Sequence, residues 1–285
     1  MAEPDPGIAS LLDRLRDMPS SPSVVAKLTV LMANPRTTAN EIAYALSRDP
    51  GMVSRILKLV NSARYGFSRR IATVTMAVVI AGFREIRNLA LSAFFFNNFV
   101  TSSAVNINID GLWRHSLGVA FFAAAIARRM DAKSAEDAFI HGLLHDIGKF
   151  VAIRTDTDQA VRIREMAERD NILFLEAERR SLSYDHAQLG SAAMERWNLP
   201  QLSVETVRHH HTPFGAPEPC RVHACIVNLA DVMARALLMG DPGDRRMPVL
   251  TGDVWRHIGL SWRDMEAVSR QAAGEYVKSG DFFKF

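Results

Sequence analysis

Apolar residues recur every three or four positions along most of the chain, and hardly any segment alternates between apolar and polar positions. A repeat near 3.6 residues indicates amphipathic α-helices, whereas strict alternation indicates half-buried β-strands. The pattern therefore predicts an all-α fold. The predicted helices cover residues 7–17, 22–33, 39–47, 50–62, 73–81, 83–99, 110–130, 135–147, 157–170, 173–180, 184–197, 201–211, 219–239 and 262–278.

Capping signals mark several of the predicted helix starts. Residues 38–41 and 134–137 each place a hydroxyl side chain three residues before a carboxylate, the pattern of a capping box. Residues 261–264 open the final helix in the same way, and Pro50 follows the cap residue Asp49 at a first helical position. These signals predict where four of the helices begin.

The histidines divide the chain into two parts. All nine lie at or after His115, and the segment before it carries no group of residues with assignable chemistry. A polar stretch with Ser and Asn, residues 101–110, separates two helical runs. We interpret this stretch as the joint between an N-terminal and a C-terminal helical subdomain.

Composition narrows the class of protein. With 48% hydrophobic and 23% charged residues, the chain has the balance of a globular protein. Its acidic opening lacks the apolar stretch of a signal peptide, and no apolar run approaches the roughly 20 residues of a membrane span. Cys220 and Cys225 are too few for a disulfide framework and indicate reduced core thiols. We therefore expect a cytoplasmic protein without a membrane partner.

The net charge of +3 raises the question of an anionic partner. Arginine pairs are spread along the chain, form no basic block and are not interleaved with aromatic residues. This distribution favours solvated helix surfaces over nucleic-acid binding.

The segment with the clearest chemistry is 141–149, in which His145 and Asp146 are adjacent near the end of a predicted helix. Gly148 is the predicted C-cap of that helix. An imidazole and a carboxylate together suit Zn, Fe, Mn or Ni, and both side chains can converge on an ion beyond the helix surface. A metal needs more than two protein ligands, so the others must come from other helices.

Candidate partners for this pair occur on other predicted helices. Two are expected to face the core, one opens a helix and two close a helix: His115, Asp231, His186, His210 and His211. A buried aspartate without a partner is costly, and a cation is one of the few ways to offset that cost. The set is therefore a candidate for metal binding.

Competing interpretations apply to individual residues of this region. A histidine on an apolar face is commonly a core residue bonded to a backbone carbonyl, and three are interpreted in that way: His141, His223 and His257. His141 and His145 have the spacing of a metalloprotease helix, but Gly142 stands where such a site requires glutamate. Lys149 either contacts a phosphate group or is a solvated lysine that pairs with a surface carboxylate.

From His115 to Asp231, the order of the candidate ligands resembles the HD superfamily of metal-dependent phosphohydrolases. The N-terminal half resembles the HDOD domain, a bacterial signalling module related to those enzymes. That similarity rests on residues 18–22, the helix after residues 34–35, and residues 47–50, 59–66 and 80–89. It extends over about residues 18–213.

The resemblance implies an N-terminal helical subdomain packed on an HD-type helical bundle. It predicts a lead-in helix at 1–17, an HDOD domain at 18–213, and C-terminal helices at 214–285 that complete the bundle. Within the HDOD domain, 18–105 is the helical subdomain and 106–213 is the HD-like part.

The resemblance also implies a centre of two divalent transition-metal ions, drawn from Fe, Mn, Zn and Ni. The first ion is assigned to His115, His145, Asp146 and Asp231, and the second to His186, His210 and His211. Asp146 would bridge the ions and is a candidate catalytic residue. Lys149 matches the lysine of the family's His-Asp-x-Gly-Lys motif and is a candidate phosphate contact.

Two functions remain open at this point. One is a regulatory module whose partner is a signalling protein or a nucleotide ligand, and the alternative is a metal-dependent phosphohydrolase or phosphodiesterase acting on a nucleotide or cyclic nucleotide. The related HD-GYP enzymes hydrolyse cyclic-di-GMP and carry a Gly-Tyr-Pro signature. Here the proline-rich segment 212–219 follows His211 instead, so hydrolysis of cyclic-di-GMP is not expected.

Overall fold

The computed structural model of the chain describes residues 5–15, 31, 34, 36–47, 50–61, 71–83, 86, 89–90, 107–130 and 134–279. Regular structure in these residues is helical, and they contain no β-strand, which confirms the predicted all-α fold. Most of the predicted helices 22–33 and 83–99, the residue Asp49 and most of the joint at 101–110 lie outside the described residues. The division of the chain at 17, 105 and 213 stays a prediction.

The helices are numbered here in chain order. They are α1 (Pro6–Arg14), α2 (Ala39–Leu46), α3 (Pro50–Val60), α4 (Val74–Ala81), α5 (Ile109–Met130), α6 (Ala135–Leu144), α7 (Ile147–Thr155), α8 (Thr157–Arg169), α9 (Phe174–Ser181), α10 (His186–Arg196), α11 (Gln201–Arg208), α12 (Cys220–Ala236), α13 (Gly252–Ile258) and α14 (Trp262–Ser279), with a 3₁₀ turn at Pro213–Gly215. Helices α7 and α13 were not predicted from the sequence.

Two of the predicted capping boxes form and one does not. Thr38 and Glu41 cap α2 reciprocally, and Ser261 exchanges hydrogen bonds with Asp264 at the start of α14. The prediction for Ser134 was wrong, because its side chain caps no amide. Its backbone is already helical, with φ −90° and ψ −5°, whereas a capping side chain needs an extended backbone.

Helix α5 forms the centre of the bundle. Most of its residues from Ile109 to Ala127 are buried, on every side of the helix. It packs against α6, α12 and α14, while α10 packs against α7 and α11, and α1 lies on α7 and α10. A helix that is apolar on all sides needs such complete cover. Its position makes a polar side chain on a covered face of α5, such as His115, part of the protein interior.

The helices α2, α3 and α4 pack against one another at the N-terminal end. Their buried side chains, including Ile42, Ile56 and Val78, belong to the same hydrophobic cluster as those of the central bundle. Cys220 and Cys225 are buried free thiols, as expected. Within the described residues, none of the helices has the length and apolar character required to cross a bilayer.

The predicted helix that contains His145 and Asp146 is divided into two helices at these residues. The predicted helix 135–147 ends at Leu144, and α7 begins at Ile147 after a two-residue link formed by His145 and Asp146. The prediction that Gly148 caps the first helix was wrong, because Gly148 lies in the first turn of α7. A Cβ atom at position 148 would lie 1.9 Å from the carbonyl oxygen of His186, the first residue of α10.

We predict that Gly148→Ala lowers the free energy of unfolding by roughly 1–3 kcal/mol, the usual cost of overpacking a core. The added methyl group would meet backbone atoms of α10, which cannot rotate away. Urea unfolding followed by circular dichroism measures the change.

The matched control is Gly274→Ala in α14, where an added Cβ has no neighbour within 4 Å. This variant should be as stable as the wild type, or more stable by about 0.5–1 kcal/mol through helix propensity. Equal unfolding midpoints for the two variants would show that the α7–α10 contact has no such constraint.

Candidate metal centre

The seven candidate ligands converge in the interior from five parts of the chain. His115 comes from α5, His145 and Asp146 from the α6–α7 link, His186 from the start of α10 and Asp231 from α12. His210 and His211 lie in the turn after α11, beyond its C-cap residue His209. All are buried except His211, which is half-buried. Residues 116 positions apart in sequence therefore meet at one place.

Three of these residues form the first ligand set, His115, His145 and Asp146. One nitrogen or oxygen atom from each lies within 4.8 Å of the others. The Nε2 atom of His145 is 3.3 Å from Oδ2 of Asp146. A continuous helix would direct these neighbouring side chains about 100° apart. The break between α6 and α7 brings them together instead.

The second ligand set consists of His186, His210 and His211, again with donor atoms within 4.8 Å of one another. The Nε2 atoms of His186 and His211 face each other at 2.8 Å. Two unprotonated ring nitrogens repel at this distance, so they require a proton or a metal cation between them. His186 Nε2 also lies 3.2 Å from Oδ1 of Asp146, so this carboxylate spans both sets.

Capping fixes His186 at the head of α10. The Asp185 side chain accepts a hydrogen bond from the amide of Gln188, and the Gln188 side chain accepts one from the amide of Asp185. The buried Glu178 carboxylate accepts from both the backbone amide of His186, at 3.1 Å, and its Nδ1, at 2.5 Å. Glu178 therefore fixes both the backbone and the imidazole ring of His186.

Four of the histidines share one orientation. In each, Nδ1 lies near an oxygen that can accept its proton, which leaves Nε2 directed at the centre of the cluster. The pairs are His115 with the Met239 carbonyl at 3.3 Å, His145 with the Gly142 carbonyl at 2.8 Å, His186 with Glu178 at 2.5 Å, and His210 with the Val207 carbonyl at 2.6 Å. Metal-binding histidines in proteins are usually oriented by this kind of contact.

The donor atoms at the centre fit a metal ion. Nε2 of His145, Nε2 of His210 and Oδ1 of Asp146 are buried and make no hydrogen bond. Buried polar atoms without a partner are rare, and each carries a desolvation penalty. Imidazole nitrogens with a carboxylate oxygen are a donor set that transition metals favour. The residues of both sets could therefore hold such ions.

The electrostatics of the centre are set by burial and close pairing. Burial disfavours charge on Asp146, but His145 and Lys149 outweigh it and keep the pKa of the carboxyl well below its usual range. Burial also opposes charge on His186, yet Glu178 outweighs it and raises the pKa to about 9. For His210, burial together with His145 and His186 lowers the pKa to about 3.

Asp231 lies at the edge of the first ligand set. Its Oδ1 atom is 3.0 Å from His115 Nε2 and accepts a hydrogen bond from Arg235 Nε at 2.9 Å. Arg235 also donates to Asp244 at 2.9 Å. The structure thus places Asp231 beside His115, as predicted, but with an arginine already bound to it.

Lys149 is not the solvated lysine that one interpretation of the sequence expected. Its side chain is 2% exposed and donates to Asp146 Oδ2 at 2.8 Å and to the Pro242 carbonyl at 2.9 Å. The ammonium also lies 5.0 Å from the centre of the Phe174 ring. It is an internal counter-ion of Asp146.

Residues 237–246, which follow α12, form a covering loop over this side of the centre. The amide of Asp241 donates to the Gly111 carbonyl at 2.8 Å, and Asp244 accepts from the Phe174 amide at 3.0 Å. The Pro242 carbonyl accepts from Lys149, as described above. The covering loop and the bundle together leave the first ligand set without access to solvent.

Sequence reasoning missed three charged residues of the site, Glu178, Arg235 and Asp244. None stands next to a candidate ligand in sequence, and no motif marks them. Arg235 follows Asp231 by four residues on one helix, a spacing that does predict an ion pair. The histidine His141 was interpreted as a core residue, and it is buried with Nε2 at 3.0 Å from Ser203 Oγ.

Comparison with known proteins places the chain in a family. The HDOD domain family model matches residues 18–213. An uncharacterised protein of Treponema pallidum is 30% identical over 234 residues, which are 80% of this chain and 44% of that protein. The chain thus spans less than half the length of this relative.

Three solved structures share the fold. An HDOD domain protein from Geobacter sulfurreducens has a TM-score of 0.82 and 22% identity, with 98% of both chains covered. A protein named as a candidate signal transduction protein from Marinobacter aquaeolei has a TM-score of 0.73 and 19% identity, with 97% of this chain and 64% of that chain covered. A protein named as a candidate metal-dependent phosphohydrolase from Shewanella amazonensis has a TM-score of 0.64 and 19% identity, with 95% of this chain and 96% of that chain covered.

These structures are less than 25% identical to the chain, so they support its fold and leave its chemistry to the site itself. The HDOD family model, by contrast, covers well over half of the 285 residues, including His115, His145, Asp146, His186, His210 and His211. With this match and the helical architecture together, the chain belongs to the HDOD domain family.

Proposed function

We propose that this protein is a regulatory HDOD module whose helical bundle binds two divalent transition-metal ions. The observation that carries the proposal is the pair of Nε2 atoms on His186 and His211, which face each other at 2.8 Å. A metal cation bound by both nitrogens would take the place of the proton that otherwise has to lie between them. The buried atoms without a hydrogen bond on His145, His210 and Asp146 support the same conclusion.

Each ligand set would hold one ion. His115, His145 and Asp146 would bind the first, with Asp231 next to it, and the second set would bind the other. Asp146 has one oxygen directed at each set and would bridge them. Ions of this kind supply Lewis acidity that can polarise a phosphoryl oxygen.

A regulatory role is favoured by the closed state of the site. The first ligand set is buried, and the covering loop lies directly against it. Lys149 is already bound to Asp146 and to the Pro242 carbonyl, so it is not free to contact a phosphate group. A metal held in this way suits a structural or sensing role in a cytoplasmic signalling protein, with a signalling protein or a nucleotide as its partner.

A metal-dependent phosphohydrolase is the second candidate function. It is favoured by the presence of both ligand sets. The name of the structurally similar Shewanella protein points in the same direction. For this activity the first set must become accessible to substrate, and the covering loop is a segment that lies against it.

We predict that the purified protein contains close to two transition-metal ions per chain. Asp146→Ala should remove both, because it deletes the proposed bridge, whereas His186→Ala should remove mainly one. Inductively coupled plasma mass spectrometry of the purified variants measures the metal content.

The matched control is His257→Ala, which replaces an exposed histidine outside both ligand sets. It should keep the wild-type content. If the wild-type protein is isolated without metal and takes up neither Fe(II), Mn nor Zn, the proposed centre does not exist.

Removal of metal should lower the melting temperature. A ligand that binds only the native state stabilises it by RT ln(1 + [L]/Kd), about 2.7 kcal/mol at a hundredfold excess over Kd. For a chain of this size, that corresponds to a shift of roughly 5–10 °C. Differential scanning calorimetry before and after chelation tests this, and an unchanged melting curve after verified metal removal contradicts a structural role.

We predict that metal-loaded protein does not hydrolyse cyclic-di-GMP at a measurable rate. Turnover requires the phosphorus to be positioned at near-attack distance, and loss of such positioning costs several orders of magnitude in rate. The segment after His211 contains Pro213, Pro217 and Pro219, which lack amide donors for phosphate. The covering loop closes the other side.

The assay uses Mn- and Fe(II)-loaded protein, with Asp146→Ala as the negative control, and detects the linear dinucleotide and GMP by chromatography. Clear turnover by the wild type that is absent from the control would make the protein an enzyme and overturn the regulatory assignment.

A further inference from the structure

A second pocket lies on the outer side of the covering loop. Its volume is about 450 Å³, within the range of small-molecule sites. It is bounded by Arg164 of α8, Arg235 of α12, the covering loop and Met247. None of the residues of the two ligand sets lines it, so this pocket is separate from the candidate metal centre.

Four arginines line the pocket, and they differ in whether they are already paired. Arg164 is paired with Glu168 and Asp241, each at 3.3 Å, at the wall of the pocket. Arg235 is paired with Asp231 and Asp244 on its floor, as described above. These two guanidinium groups have their charge balanced by carboxylates.

The remaining two arginines, Arg245 and Arg246, are exposed at the mouth of the pocket. Neither side chain has an ion-pair partner among the residues that the structure describes. Guanidinium groups bind phosphate in a two-pronged geometry that few other side chains provide. Two adjacent unpaired arginines at the rim of a cavity thus supply the chemistry of a phosphate site.

Part of the rim of the pocket is apolar. Leu238 is 88% exposed and Met247 is 50% exposed, and both line the pocket. Leu238 has φ of +53°, in the left-handed region at the end of α12, where glycine or asparagine is usual. A leucine there is strained and leaves its side chain in water, so the helix end alone does not explain this residue.

We propose that this pocket binds a small organic phosphate with a flat apolar group, specifically a mononucleotide. Its phosphate would contact Arg245 and Arg246, and its base would cover the exposed side chains of Leu238 and Met247. Both unusual features of the pocket, the unpaired arginines and the exposed strained leucine, are then accounted for by one ligand. The proposal does not depend on metal binding.

The test measures binding of GMP and AMP to the full-length protein by isothermal titration calorimetry, with guanosine and inorganic phosphate as separate ligands. We expect at least one nucleotide to bind more tightly than either guanosine or inorganic phosphate. The double variant Arg245→Ala/Arg246→Ala should weaken nucleotide binding at least tenfold. Its matched control is Arg256→Ala/Arg270→Ala, which removes the same charge from exposed arginines on α13 and α14 and should leave binding unchanged.

A third variant, Leu238→Gly, tests the apolar rim. Glycine accepts the left-handed backbone without strain, so the fold is kept while the apolar surface is removed. Nucleotide affinity should fall by severalfold and the affinity for inorganic phosphate should not change. Chelator-treated protein should bind the nucleotide as tightly as untreated protein, which separates this pocket from the metal centre.

Four results would overturn the proposal. The first is that no nucleotide binds at millimolar concentration, and the second is that both arginine double variants weaken nucleotide binding equally. The third is that inorganic phosphate binds as tightly as the nucleotide, and the fourth is that chelation abolishes nucleotide binding. The first would leave the pocket without its ligand, and the second would indicate general charge attraction. The last would place the nucleotide at the metal centre.

Discussion

The buried carboxylate of Asp146 is the constraint around which the rest of the centre is arranged. A carboxylate without water must have cations or hydrogen-bond donors close by, because its desolvation is otherwise too costly for a folded protein. Here Lys149 lies on one oxygen and two histidines lie within 3.3 Å of the carboxylate. Three features bring partners to this carboxylate: the break between α6 and α7, the buried lysine and the position of α10.

Charge is balanced locally throughout the site. Asp146 is paired with Lys149, Asp231 with Arg235, and Glu178 with His186. Each of these three carboxylates therefore has a partner of its own before an ion arrives. A bound metal would therefore add to a framework that is already folded, in contrast to small metal-dependent domains that are unfolded without their ion.

The sequence predicted the parts of the structure that depend on local pattern. The helical period gave α5, α8 and α12 to within a few residues, and the order of His and Asp residues gave the members of both ligand sets. It did not predict α7, because Gly148 was interpreted as a helix end when it is in fact a point of close helix contact. Glu178, Arg235 and Asp244 were missed because tertiary packing, and no local motif, brings them to the site.

The close contact between Gly148 and the backbone of His186 can also help to interpret related sequences. At position 148 any side chain would collide with a backbone oxygen, so the spacing between α7 and α10 allows one residue type alone. Asp146 directly precedes α7 and His186 opens α10, and these two candidate ligands lie between the two sets. In related sequences, the residue at this position is therefore a diagnostic marker. We expect a larger residue there to accompany a wider spacing of the two helices, which would move Asp146 away from His186.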